Sequence, residues 1–94
     1  MMRRIIAVDY DGTLEVNGKL NLHLIERLRR ENAIVILWTC REGERLASAV
    51  RKLLEAGFRP HYVNCNCPQG IARMGHDSRK VFADIYIDDK NARF

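Results

Sequence analysis

Asp9 and Asp11 stand either side of Tyr10, directly after the apolar run Ile5-Ile-Ala-Val8 and directly before Gly12. Two carboxylates at the end of a buried strand repel one another, so they pack poorly and suit chemistry better. Side chains two apart on an extended segment point the same way, so Asp9 and Asp11 are expected to face one site with Tyr10 turned away. Gly12 permits a sharp departure from the strand. A second acidic pair, Asp88 and Asp89, follows Ile85-Tyr-Ile87, and Thr39 follows the apolar run at 33–38. Three or four carboxylates gathered in one place raise one another's pKa unless a cation neutralises them. A hard divalent ion with oxygen ligands, most simply Mg²⁺, answers that need.

The elements that must position these groups alternate along the chain. Residues 4–9 and 33–38 are short continuous apolar runs, the pattern of strands buried on both faces. Leu22, Leu24, Ile25 and Leu28 recur at helical spacing within 21–32, with Asn21 as the cap. Leu46, Ala49, Val50, Leu53 and Leu54 form a second helical stripe that ends at Gly57. Residues 60–64 and 83–88 read as a third and a fourth strand, and 64–80 as a loop with at most a short helix. This alternation predicts an α/β fold with right-handed crossovers: a small three-layer Rossmann-like parallel sheet of about four strands, helices on both faces, forming one domain over residues 1–94. The carboxyl ends of such strands share one edge. Asp9, Asp11, Thr39, Asp88 and Asp89 are therefore expected to meet there.

The net charge of +4 over 94 residues favours anionic partners without defining a nucleic-acid binder. The apolar run near the N-terminus is too short for a signal-peptide core or a membrane span, so a cytoplasmic location and no membrane partner are expected. Cys40, Cys65 and Cys67 have no framework spacing and read as reduced thiols. Cys65-x-Cys67 with His76 lacks a fourth ligand for zinc. The glycine spacing between Gly12 and Lys19 does not make a phosphate-binding P-loop; the segment reads as a small flap turning at Asn17-Gly18. Thr39-x-x-Glu42 fits a capping box for the second helix. Trp38 and Tyr86 lie in apolar strands and read as core, while Arg41 either grips a substrate anion or sits on the surface.

DYDGT at 9–13, LWT at 37–39, Lys80 and IDD at 87–89 resemble the four ordered motifs of the haloacid dehalogenase-like phosphatases, a likeness running from Ile5 to Asp89. WTCREG and SRK-x-x-AD-x-Y-IDD-K look like a small bacterial or phage subgroup that has no cap domain. The resemblance implies that Asp9 attacks phosphorus to form an aspartyl-phosphate. Asp11 would protonate the leaving oxygen and later deprotonate the attacking water. It implies that Mg²⁺ is held by the Asp9 carboxylate, the Asp11 carbonyl and the Asp88 carboxylate, with Asp89 acting through water or a neighbouring contact. Thr39 and Lys80, the latter preferred to Arg79, would hold the phosphoryl oxygens, with Gly12, Cys40 and Arg41 on the same phosphate-binding side.

With an aspartate at position 11, the resemblance favours a phosphatase over a member acting on carbon–halogen bonds, because only the ester's leaving group needs an acid. The stretches from Asp11 to Thr39 and from Asn64 to Lys80 are too short for an inserted cap. An open site suits a bulky phosphorylated substrate, such as a nucleotide, a nucleic-acid end or a protein, unless a partner in a homo-oligomer supplies a lid. The sequence stops at Phe94, shortly after Asp89, so the sheet edge there is expected to be exposed or covered by another subunit. The alternative is a phosphate-binding or regulatory module without turnover. A receiver-like domain shares the acids, threonine, lysine and Mg²⁺, but carries its phosphoacceptor on a middle strand, where this chain is expected to have Thr39.

Overall fold

The computed structural model describes residues 3–90. In chain order its elements are β1 (Ile5–Val8), β2 (Glu15–Val16), β3 (Lys19–Leu20), α1 (Leu22–Arg30), β4 (Ile34–Leu37), α2 (Gly43–Glu55), β5 (Tyr62–Val63), α3 (Pro68–Met74) and β6 (Ile85–Ile87). Four strands pair in parallel in the order β5-β4-β1-β6, with Val8 opposite Leu37 on one side and Ile87 on the other. The fold is the α/β layered sheet that the alternation predicts. No cap is present among the described residues.

β1 reads as an unbroken apolar run because both of its faces are covered. Ile6 and Val8 pack with Leu24, Ile25 and Leu28 of α1 and with Ala49 and Leu53 of α2. Ile5 and Ala7 face the other way, onto Cys67, Val81 and Ala83. Each fully buried aliphatic side chain contributes about 1.5–3 kcal/mol, so this central strand fixes the strand ends that carry Asp9 and Thr39. β1 and β4 are both interior. Asp9 thus also ends a middle strand, and strand position does not separate this chain from a receiver-like module as the sequence suggested.

The flap is a two-stranded antiparallel hairpin, with Val16 opposite Lys19. Asn17 and Gly18 take φ of 53° and 78°, the left-handed pair that a tight two-residue turn requires. Asn21 caps α1 as expected, its side-chain oxygen accepting from the Leu24 amide at 3.2 Å. The capping box at Thr39 is not made. α2 starts at Gly43 with Glu42 as its N-cap, and the Glu42 side chain makes no capping bond. The loop at 64–80 contains a seven-residue helix that begins at Pro68 and closes on a left-handed Gly75. Cys67 caps it, its buried sulfur accepting from the Gly70 amide at 3.4 Å.

No helix among the described residues is long and apolar enough to cross a membrane. The expectation for the segment following Asp89 falls largely on residues 91–94, outside the described residues. β6 is nonetheless an edge strand of the sheet.

Candidate active site

The sheet's ladder extends one residue past β1 on both sides. The Asp9 amide donates to the Ile87 carbonyl and the Trp38 amide to the Val8 carbonyl, each at 2.9 Å. These two bonds lock the carboxyl ends of β4, β1 and β6 together, and a cavity of about 310 Å³ opens over them, lined by Asp9, Trp38, Thr39, Cys40, Asp88 and Asp89. A larger cavity of about 520 Å³ lies beside β5, against Val50, Leu54 and Pro60. It holds no acidic side chain; the candidate site residues that line a cavity line the smaller one.

Burial first, and then repulsion from Asp11, Asp89 and Asp88, pushes the Asp9 carboxyl above its usual range, although the Tyr10 amide opposes this. That amide donates to Asp9 Oδ1 at 2.8 Å. Thr39 is held from two directions. Its amide donates to Asn64 Oδ1 at 2.7 Å, and its hydroxyl oxygen accepts from the Arg41 amide at 3.1 Å. The hydroxyl proton of Thr39 is left to donate elsewhere.

Asp11 departs from the expectation that it shares a cavity with Asp9. Its carboxylate is gripped by Arg41, with contacts of 2.7, 3.0 and 3.2 Å to the guanidinium. The Arg41 hydrogen bonds hold the Asp11 carboxyl below the usual carboxylate range. Arg41 lies 4.7 Å from the centre of the Tyr10 ring and is also 3.7 Å from Glu15. Tyr10 is turned away from the cavity as predicted, fully buried, with its hydroxyl donating to Glu15 at 2.8 Å. Burial, with that bond, pushes the phenol up to about 12.

The Gly12 amide donates to the Glu15 carbonyl at 2.8 Å. Its φ is +79°, and a Cβ placed on it would stand 3.3 Å from Asp89 Cβ. Gly12→Ala therefore combines a left-handed penalty of about 1–2 kcal/mol with displacement of Asp89. Thermal unfolding followed by circular dichroism should show a fall of roughly 5–15 °C.

Lys80 is not among the side chains that line the cavity; its ammonium lies 5.3 Å from the centre of the Tyr86 ring. That ring in turn lies 5.6 Å from the ring of Trp38. Trp38 is not core as expected: it is 40% exposed and forms a wall of the cavity. Cys40 lines the same cavity as a free, exposed thiol. Sequence reasoning missed Asn64, which positions Thr39 from the end of β5. The signal was available, since Asn64 follows its strand as Asp9, Thr39 and Asp88 follow theirs. It also missed Glu15, which joins Tyr10, Arg41 and Lys52.

Among the described residues, no group of three or more acidic, histidine or cysteine side chains is placed to hold a metal ion. Mg²⁺ does not demand such a group. It keeps several waters and binds through one or two carboxylates together with substrate phosphate. Asp9, Asp88 and Asp89 bring oxygen donors to one cavity, with the Asp9 carboxyl raised first by burial and then by its neighbours' charge; oxygen donors are the type that hard ions prefer.

Fold and site together define a small parallel α/β protein with an acidic cavity at the carboxyl edge of its sheet. No family model matches the sequence, and no curated protein matches it. A solved structure of a conserved protein from Bacteroides thetaiotaomicron is similar, with 33% sequence identity and a TM-score of 0.76, over 95% of this chain and 78% of that one. The chain belongs to the same family as that protein.

Proposed function

We propose that the protein is a Mg²⁺-dependent phosphatase of the haloacid dehalogenase-like kind, hydrolysing a phosphate monoester through an aspartyl-phosphate on Asp9. The observation that carries this reading is the convergence of Asp9, Thr39, Asp88 and Asp89 on one cavity. In the first half-reaction an Asp9 oxygen bonds to phosphorus as the bond to the leaving oxygen breaks, and that oxygen takes a proton from Asp11. In the second, Asp11 takes a proton from water, whose oxygen bonds to phosphorus as the Asp9–phosphorus bond breaks. Inorganic phosphate leaves, with Asp9 ionised and Asp11 protonated as at the start. The Thr39 hydroxyl and the Lys80 ammonium donate to the phosphoryl oxygens.

Asp9, Asp88 and the Asp11 carbonyl would hold Mg²⁺, with Asp89 beside them, and the bound ion supplies the positive charge that lets a carboxylate approach a phosphate dianion. The free thiols of Cys40, Cys65 and Cys67 suit a reducing cytoplasm. With no cap over the cavity among the described residues, a bulky phosphorylated substrate can reach it, or a second copy can cover it as a homo-oligomer.

Phosphate release measured with Mg²⁺ and with a chelator tests the reading. Release should vanish without the ion, and Asp88→Asn should raise the Mg²⁺ concentration for half-maximal rate at least about tenfold. Release that ignores the chelator would sink it.

One observation favours a second reading, a phosphate-binding module without turnover: Arg41 holds Asp11 ionised, which opposes a general acid. In a phosphatase, Arg41→Gln removes the group that lowers the Asp11 pKa, so the protonated acid survives to higher pH. The alkaline limb of the rate profile should then move upward. A binding module shows no rate to move.

A further inference from the structure

We propose that the group carrying the phosphate is a nucleoside, free or at the end of a strand, whose base stacks on Trp38. This substrate class rests on the phosphatase reading above. Trp38 is the sequence's one tryptophan and is 40% exposed at the end of a strand whose last residues are otherwise buried. It lines the same cavity as Asp9, so a base joined through its sugar to a phosphoryl at Asp9 is placed to meet its ring. The cavity volume of about 310 Å³ sits at the lower end of small-molecule sites. It suits a phosphoryl and its nearest groups, while the remainder of the substrate extends into solvent.

The aromatic wall is braced from behind. Tyr86 lies 5.6 Å from Trp38 at a tilt of 56°, its hydroxyl donating to the Val81 carbonyl at 2.6 Å and accepting from the Ala83 amide at 3.1 Å. Those bonds tie the Tyr86 ring to its loop, and the Lys80 ammonium lies 5.3 Å from the ring centre. An exposed indole on a fixed support, lining the same cavity as a candidate nucleophile, can stack a base while its phosphate is held. A sugar phosphate offers no π-face to the ring. Stacking on an aromatic side chain is tolerant of base identity, so preference among the four bases should be slight.

Fluorescence of Trp38 reports the contact directly. With Mg²⁺ present, nucleoside 5′-monophosphates and a 5′-phosphorylated trinucleotide should each quench it, and ribose 5-phosphate should not. Whichever of the two nucleotide forms quenches at lower concentration identifies the source, free nucleotide or strand end. In phosphate release, kcat/KM for adenosine 5′-monophosphate should exceed that for ribose 5-phosphate by roughly tenfold, a preference that Trp38→Leu loses and Trp38→Phe keeps. Quenching by nucleotides without phosphate release from any compound supports the platform and overturns the phosphatase reading. Release with no quenching, or a preference unchanged in a folded Trp38→Leu, overturns the platform and leaves the phosphatase standing.

Discussion

Asp9→Asn is expected to abolish phosphate release, lowering kcat by roughly 10⁴-fold or more, while making the fold more resistant to heat at neutral pH. The first effect follows from the proposed chemistry, because an amide cannot form the acyl-phosphate. The second follows from the raised pKa of Asp9, caused first by burial and then by Asp11, Asp89 and Asp88. A carboxyl whose folded pKa exceeds its unfolded value binds its proton more tightly in the fold. Its effect on stability is neutral below the unfolded value near 3.8 and becomes unfavourable as pH rises through the folded value. Asparagine carries no charge at any pH, so wild type and variant should converge in acid and separate above it. Melting curves across pH, paired with a phosphate assay at neutral pH, check both halves. A variant that is less stable at neutral pH would contradict the electrostatic account, and one that keeps its activity would contradict the nucleophile.

Tyr10→Ala is expected to be the most damaging of these changes for the fold. The side chain is wholly buried within the cluster formed by Val8, Leu14 and Ile87. Truncating a buried aromatic costs about 3–5 kcal/mol, which for a domain of this size is a fall of at least roughly 12 °C in melting temperature. The hydroxyl adds a smaller part. Tyr10→Phe removes only its bond to Glu15, about 1 kcal/mol, and also frees the Glu15 carboxylate from the bond that most lowers its pKa. The pair of variants separates packing from polarity. Thermal melts showing equal losses for both would mean that the hydroxyl and not the ring carries the position. Tyr10 also explains how two aspartates flank one residue at a strand end: its ring anchors the turn in the core while the carboxylates stay at the rim.

The apolar runs at 33–38 and before Asp9 announced strands covered on both faces, and the helical spacing of Leu24, Ile25 and Leu28 announced α1. These are local properties. A period of two or 3.6 is written in neighbouring residues and survives any arrangement of the elements. Strand alternation was enough to place Asp9, Thr39, Asp88 and Asp89 on one edge, because parallel strands joined by crossovers must end on the same side. The Asn17-Gly18 turn was legible too, since few dipeptides accept two left-handed residues.

The partners of those groups were not legible, because they depend on register and crossover geometry between distant segments. Arg41 reaches Asp11 across 30 positions, and Asp84 accepts the Ile5 amide at 2.7 Å across 79. The spacing of Asp9 and Asp11 pointed both carboxylates at one cavity, yet Asp11 lies beyond the end of β1, where strand alternation no longer governs direction and a nearby guanidinium does. Thr39 lost its expected helix cap because α2 begins later, at Gly43, and its amide found Asn64 instead. Trp38 belongs to an apolar run but stands one residue past β4, where the helices no longer cover the sheet. Sequence determined which side chains stand at the rim of the sheet; only the packing of the elements decided which of them face the cavity and which are held by a neighbour.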